Sequence, residues 1–258
     1  TAAECHNQTE NEFDKLSEIV STIAVKKNKK FQLGISHTNA RISRERAKRI
    51  KHLKPNGCQI TLPDWWPPTL EESKNFIMGM QEVVDDMYMI LYNPPHAKVL
   101  LSLDEILFLT KEAPNLVGIK CAGGDESWYQ KRRELFHDFS VFVPGHTVVF
   151  GKPLGANGSY SNVACLSPNG AVMIWNLIDI DIEKAKNIEN KINNFMKIHI
   201  LPLASRLSNT GLDKLLASVG GWGPISEEVL WPYEGATFKE VQKIKTIAKQ
   251  ELPELFDV

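Results

Sequence analysis

Two short apolar runs, Tyr88-Met-Ile-Leu-Tyr-Asn-Pro-Pro-His96 and Asn115-Leu-Val-Gly-Ile-Lys-Cys-Ala-Gly-Gly124, decide the fold class of this chain. Each run carries one ionisable side chain at its C-terminal end, Tyr92 in the first and Lys120 in the second, and turn residues follow. Buried parallel strands present reactive groups in this way at the mouth of an α/β sheet or barrel. The two runs therefore predict parallel strands that bring a tyrosine and a lysine to one edge.

Lys120 is a candidate nucleophile because lysine is unusual at the end of an apolar strand. Burial disfavours the charged form of an amine and lowers its pKa. A partly neutral amine is the form that attacks a carbonyl carbon to make a Schiff base. The alternative is that Lys120 only extends its amine from the strand end into water. The tyrosine one β-α unit earlier favours the catalytic interpretation, and the alternative stays open.

Apolar runs with strand character alternate with amphipathic, helix-like segments through the first two thirds of the chain, which predicts a parallel sheet. The predicted strands lie near residues 31, 57, 88, 116, 140 and 155. Helices are predicted over residues 11–27, 43–53, 69–86, 102–112, 125–139, 147–154, 171–177, 182–207, 211–219 and 237–252. An eight-stranded barrel needs two more strands, so the pattern alone leaves an open six-stranded sheet as an alternative.

The composition excludes several classes of protein. The 258 residues include 30 basic and 31 acidic side chains with a net charge of -1, which argues against a nucleic-acid-binding surface. No apolar run is long enough to span a bilayer, so we expect no membrane association. Four cysteines are scattered without disulfide-scaffold or zinc-ligand spacing, which predicts a reduced, cytoplasmic compartment.

Four motifs in register resemble the dihydrodipicolinate synthase / N-acetylneuraminate lyase family. They are Tyr92-Asn-Pro-Pro95, Gly118-Ile-Lys120, Thr1-Ala-Ala-Glu4 and Gly155-Ala-Asn-Gly158. The resemblance implies a (β/α)8 TIM barrel with a C-terminal helical extension, in a homo-oligomer that is a dimer or a tetramer. It assigns residues 1–166 to the barrel from the end of strand two onward, and residues 167–258 to the last barrel helix and the helical region. It also implies that the given chain lacks the first two strands.

The resemblance implies the chemistry of a class I, pyruvate-dependent aldolase. Lys120 matches the lysine that forms a Schiff base with pyruvate or another 2-keto acid, and Tyr92 matches the tyrosine that moves protons to and from the substrate. Because the lysine itself withdraws electrons once it is an iminium, we expect no organic cofactor and no metal.

Other positions match by the same resemblance. The Thr1 hydroxyl and the Ala2 amide match groups that bind the carboxylate of the keto acid, and Gly158 and Tyr160 match residues that line the same pocket. Glu4 matches a carboxylate that supports the substrate-binding residues without touching the substrate itself. A structural salt bridge is an equal alternative for Glu4.

Three departures from the synthase pattern bear on the substrate. Ala2 replaces a hydroxyl of a proton relay, Trp65 replaces a tyrosine reached from a neighbouring subunit, and Ala97 replaces an arginine that grips a carboxylate, although Lys98 is adjacent. We therefore expect the Schiff-base chemistry with a different, sugar-derived substrate, and not dihydrodipicolinate synthesis. Aldol cleavage or condensation and dehydration both remain open.

Three histidines and a pair of tryptophans are further candidates. Each of the three histidines, His37, His96 and His146, follows a predicted strand end, which would place them at the mouth of a barrel. One interpretation is that they contact the substrate there, and a second is that they are loop residues bonded to backbone. A third is that they hold the metal of a TIM-barrel hydrolase. We assign His96 to substrate binding. Trp65, next to Trp66, is either an aromatic wall for the substrate, which we predict, or an oligomer contact. A third alternative is a keto-acid-binding homologue without catalytic activity.

Overall fold

The computed structural model describes residues 4–256. It divides into two compact units, an N-terminal unit of residues 5–142 and a C-terminal unit that comprises Glu4 and residues 143–256 of the described chain. The boundary that we drew from the family resemblance, between residues 166 and 167, stays a prediction.

The N-terminal unit is built on parallel strands that were all predicted from the sequence. They are β1 (Gln32–Gly34), β2 (Gly57–Ile60), β3 (Tyr88–Tyr92), β4 (Leu116–Lys120) and β5 (Ser140–Val143), whose last residue reaches the boundary of the unit. Each strand pairs in parallel with the next strand along the chain. Such a strand order has no reversal among these five strands, which distinguishes it from a doubly wound nucleotide-binding sheet.

One helix connects each strand to the next, and another precedes the first strand. The helices are α1 (Glu10–Lys26), α2 (Ala40–Ile50), α3 (Leu70–Val84), α4 (Leu103–Thr110) and α5 (Glu126–Leu135). The capping box predicted at Thr69 is present, because its hydroxyl accepts from the Glu72 N–H and the Glu72 carboxylate accepts from the Thr69 N–H.

A buried arginine ties α1, α2 and the end of β1 together. Arg46 is fully buried, and its guanidinium donates to the Glu10 carboxylate at 2.7 Å and to the Ser36 carbonyl at 2.8 Å. It also donates to the Cys5 carbonyl and lies 4.4 Å from the centre of the Phe13 ring. A buried charge is tolerated only where it is paired and hydrogen-bonded, and Arg46 meets both conditions.

The C-terminal unit is mainly helical. Its elements are α6 (Val148–Leu154), β6 (Gly158–Ser159), α7 (Val163–Leu166), α8 (Pro168–Ile180), α9 (Ile182–Phe195), α10 (Asn209–Gly220) and α11 (Phe238–Glu251). No helix in residues 4–256 combines the length and apolar character needed to cross a membrane.

The structure corrects several predicted bounds. The helix expected over residues 182–207 ends as an α-helix at Phe195 and continues as a π-helix, Met196–Ile200, and a 3-10 helix, Leu201–Ser205. Pro202 lies in that last segment and lacks an N–H, so a regular α-helix cannot continue through it. The helix expected to reach Phe139 ends at Leu135, because Phe136 is extended.

The strand count agrees with the prediction. Six strands lie in the described residues 4–256, and β6 is shorter than predicted, because the left-handed Gly155 and the irregular residues 156–157 occupy the predicted strand's first positions. The short helix α7 was not predicted from the sequence. Closure into a complete (β/α)8 barrel stays a prediction.

Candidate active site

Tyr92 and Lys120 lie side by side at the carboxyl ends of adjacent strands. They are paired residues in the parallel register of β3 and β4, so their side chains point to the same face of the sheet. The Lys120 Nζ lies 3.9 Å from the centre of the Tyr92 ring. Both residues are half-buried.

Backbone hydrogen bonds on both sides hold the strand end that carries the lysine. The Asn93 N–H donates to the Lys120 carbonyl at 2.9 Å, and the Cys121 N–H donates to the Phe142 carbonyl at 3.0 Å. Neither bond uses the lysine side chain.

Gly118 allows β4 to lie close to β5. A Cβ atom at this position would lie 2.7 Å from the Ser140 carbonyl oxygen and 3.0 Å from Ile90 Cδ1, which is closer than side chains pack. The glycine in the Gly118-Ile-Lys120 motif therefore has a packing reason in this fold.

Cys121 is not suited to act as the nucleophile in place of Lys120. Burial raises the pKa of its thiol to about 11, so the thiol stays protonated near neutral pH. The thiolate is the reactive form of cysteine, and it is scarce here.

The loop that follows β3 carries His96, a predicted substrate contact, and Ala97, which replaces the synthase arginine. His96 is exposed and Ala97 is half-buried in this loop. Lys98, also in the loop, donates from Nζ to the Trp65 carbonyl at 2.8 Å, and its Nζ lies 5.6 Å from the centre of a Trp65 ring. Trp65 is 82% exposed. The structure thus brings the Trp65 loop and the His96 loop together through Lys98.

The remaining predicted site residues lie outside the described residues or in the C-terminal unit. Thr1 and Ala2 lie outside the described residues. Gly158 and Tyr160 lie in the C-terminal unit, and their role beside Lys120 stays a prediction. The Glu4 carboxylate accepts from the Leu230 N–H at 2.7 Å and pairs with Lys214 at 3.4 Å, as the salt-bridge alternative for Glu4 predicts.

Two of the three histidines, His37 and His146, bind neighbouring backbone or amide groups. The His37 Nδ1 accepts from the Asn39 N–H at 2.9 Å, and the His146 Nδ1 lies 3.1 Å from the Asn162 Oδ1. Within residues 4–256, no three His, Cys, Asp or Glu side chains are grouped so that they could hold a metal ion. The geometry gives the metal-dependent hydrolase no support.

The C-terminal unit contains a cavity of about 530 Å³. Its wall includes Gly145, Gly158, Ser159, Ser161, Ile174 and Trp175. This volume is typical of sites for small molecules, and one predicted substrate-binding residue, Gly158, lines it.

Two structurally important residues were missed in the sequence. Asn93 is buried inside a motif that we used only as a family signature, and Arg46 was included only in a basic helix. An Asn directly before two prolines is a turn signal that could have indicated the role of Asn93. Nothing local in the sequence distinguishes Arg46 from the exposed basic residues around it.

Parallel strands in chain order, with a lysine and a tyrosine at adjacent strand ends, give an α/β fold that resembles the TIM-barrel class. The sequence model of the dihydrodipicolinate synthetase family matches residues 1–250. The chain belongs to this family, as its motifs predicted. Among curated proteins, none matches the sequence.

Solved structures share the fold at low sequence identity. Ruminococcus gnavus sialic acid aldolase is 16% identical with a TM-score of 0.84, over 99% of this chain and 84% of that one. The dihydrodipicolinate synthase from Aquifex aeolicus is 18% identical with a TM-score of 0.82, over 98% and 85%. The protein CdNal from Clostridium difficile, in complex with mannosamine, is 20% identical with a TM-score of 0.76, over 96% and 82%.

Proposed function

We propose that this protein is a lyase that forms a Schiff base between Lys120 and the ketone of pyruvate or a sugar-derived 2-keto acid. The observation that carries the proposal is the pairing of Lys120 with Tyr92, whose ring centre lies 3.9 Å from the amine at adjacent strand ends. Membership of the dihydrodipicolinate synthetase family supports it.

The proposed reaction follows from the chemistry of an iminium. The neutral amine of Lys120 attacks C2 of the keto acid, and loss of water gives the iminium, which withdraws electrons from C3. In aldol cleavage the C4 hydroxyl loses its proton, the C3–C4 bond breaks, and an aldehyde leaves an enamine on the lysine. Protonation of the enamine at C3 and hydrolysis then release pyruvate and the free amine.

Tyr92 is the proposed carrier of protons. Its phenol would accept the proton of the C4 hydroxyl during cleavage and return a proton to C3 of the enamine. In a dehydration the same group would help a hydroxyl group to leave from the substrate. The pairing of Tyr92 with Lys120 is compatible with either reaction.

The carboxylate of the keto acid is the proposed ligand of the Thr1 hydroxyl and the Ala2 amide. Gly158 and Tyr160 are the proposed lining of the same pocket. The cavity beside Gly158 has the size of a small-molecule site, which supports the assignment of Gly158. No metal ion or organic cofactor takes part in the proposed reaction, since the lysine supplies the electron sink.

The proposed substrate is derived from a sugar and differs from that of a dihydrodipicolinate synthase. Ala97 offers no charge for a second carboxylate, and Lys98 makes its hydrogen bond to the Trp65 carbonyl. Trp65 and His96 are the proposed contacts for the hydroxylated part of the substrate. Solved structures with this fold include a sialic acid aldolase, a mannosamine complex and a dihydrodipicolinate synthase, so the choice depends on Trp65, His96 and Ala97.

A homo-oligomer, either a dimer or a tetramer, is the proposed assembly. Trp65 and its neighbour Trp66 are exposed by 82% and 79%, and exposed aromatic side chains are common at interfaces between subunits. Trp65 could serve both the substrate and such an interface.

Borohydride reduction in the presence of pyruvate tests the proposal. We expect a stable adduct, located on Lys120 by peptide mass spectrometry, and no adduct in Lys120→Ala. Lys98→Met is the matched control, because it removes another lysine of the same unit and should leave the adduct unchanged. Turnover would then be sought with a panel of sugar-derived 2-keto acids.

Two outcomes contradict the proposal. A folded protein that forms no adduct on Lys120 is not a Schiff-base lyase. If that protein still binds pyruvate, it is a keto-acid-binding homologue without catalytic activity.

A further inference from the structure

The loop after β3 is closed by the side chain of Asn93. This side chain is only 7% exposed. Its amide donates to the Val99 carbonyl at 2.8 Å, and its carbonyl oxygen accepts from the Leu101 N–H at 3.0 Å. The two bonds join the start of the loop at Asn93 to its end at Val99 and Leu101, so residues 94–101 form a closed loop that begins directly at the proposed active site.

The closed loop is attached to a second loop through Lys98. The Lys98 amine donates to the Trp65 carbonyl and lies near the Trp65 ring. Trp65 follows β2 and Lys98 follows β3, and these strands are neighbours in the sheet. The position of Trp65 therefore depends, through Lys98, on how Asn93 closes the loop.

The side chain and the backbone of Asn93 do different things. Its backbone N–H donates to the Lys120 carbonyl, and this bond does not need the side chain. Among residues 4–256, the side chain bonds to the backbone of the loop that carries His96 and Lys98. Truncating it should leave the Lys120 strand end in place and release the loop.

We infer that Asn93 is a positioning residue for the aldehyde half of the substrate. It fixes the His96 loop and, through Lys98, the Trp65 loop, and so it sets which aldehyde the enamine on Lys120 accepts. The inference rests on the proposed function, and it adds a specificity-determining residue to it.

The test compares Asn93→Ala with Asn115→Ala. Asn115 is a matched control because its side chain also bonds backbone carbonyls, those of Asp85 and Met87, but at the opposite end of β3 and β4. Two quantities are measured with each purified full chain. One is borohydride trapping with pyruvate, and the other is condensation of pyruvate with D-glyceraldehyde or N-acetylmannosamine over a range of aldehyde concentrations.

We expect Asn93→Ala to raise the KM for the aldehyde by about 10-fold to 100-fold, because the displaced loops no longer orient the aldehyde toward the enamine. The rate of adduct formation on Lys120 should stay within about twofold of the wild-type rate, since β3 and β4 keep their backbone hydrogen bonds. Asn115→Ala should lower the melting temperature without changing the aldehyde KM.

Three results would overturn the inference. The first is an unchanged aldehyde KM in a folded Asn93→Ala variant, and the second is an equal rise in KM in Asn115→Ala. The third is a wild-type protein that forms the adduct and condenses neither aldehyde. A wild-type protein without an adduct would instead contradict the proposed function itself.

Discussion

At the scale of single residues, the structure defines how Lys120 and Tyr92 face each other. The amine lies over the ring of the tyrosine, and the phenol oxygen is at the edge of that ring. The ring face and the hydroxyl therefore have separate roles, contact with the lysine and transfer of protons. A substitution that removes only the hydroxyl can separate these roles.

We predict that Tyr92→Phe keeps the borohydride adduct on Lys120 and loses turnover. The ring and its contact with the amine remain, but the group that moves protons is gone, so kcat should fall by about 10²-fold or more. The measurement is kcat for condensation of pyruvate with an aldehyde, alongside trapping.

Tyr88→Phe is the matched control, because Tyr88 begins the same strand and is exposed. It should leave kcat unchanged. If Tyr92→Phe keeps a kcat close to that of the wild type, another group carries the protons.

At the scale of elements, the site depends on how closely β4 approaches β5. Gly118 and Ser140 are paired in the register of these two strands, and Lys120 is two residues further along β4, on the same face as Gly118. Any atom added at Gly118 pushes the strand that carries the lysine away from its neighbour.

We predict that Gly118→Ala destabilises the protein by about 1–3 kcal/mol, because the added methyl group meets the Ser140 carbonyl oxygen in a packed strand pair. Trapping of pyruvate on Lys120 should also become slower. Denaturant unfolding and timed borohydride reduction measure the two effects.

Gly79→Ala is the matched control, because it makes the same glycine-to-alanine change outside the strand pair. Gly79 lies within α3, and a Cβ there meets no atom within 4 Å. This substitution should stabilise the protein by about 0.5–1 kcal/mol and leave trapping unchanged. Equal effects of the two substitutions would show that strand spacing does not matter.

At the scale of the whole molecule, capping carboxylates make stability depend on pH. Hydrogen bonds from the backbone N–H groups of Thr9, Thr69 and Thr237 lower the pKa values of Glu12, Glu72 and Glu240. A carboxyl whose pKa is lower in the folded state stabilises the fold above its ordinary pKa. That stability is lost as the pH falls through the folded value.

We predict that the free energy of unfolding is smaller at about pH 3.5 than at pH 7, and that Glu240→Gln reduces this difference. A glutamine oxygen can accept the same capping bonds, so the variant removes only the charge and its pairing with Arg206. Urea unfolding at the two pH values is the measurement. A variant with the pH dependence of the wild type would contradict the role of Glu240.

The sequence alone determined the elements and the candidate chemistry. Apolar runs bounded by turn residues located all the described strands, and Thr69 marked the start of α3, because these signals act over a few residues. The placement of Tyr92 and Lys120 at the ends of two consecutive strands was also local information. With the motif resemblance, it identified the family.

The tertiary structure decided what depends on groups distant in the chain. Arg46 is buried only because Glu10, Ser36 and Cys5 meet it from other elements, and its own helix gives no sign of this. The bond between Lys98 and Trp65 joins residues from two loops. Local patterns fix where strands begin and end, but burial and partners arise only when strands pair and helices pack, so the loops of the site could not be derived from the sequence.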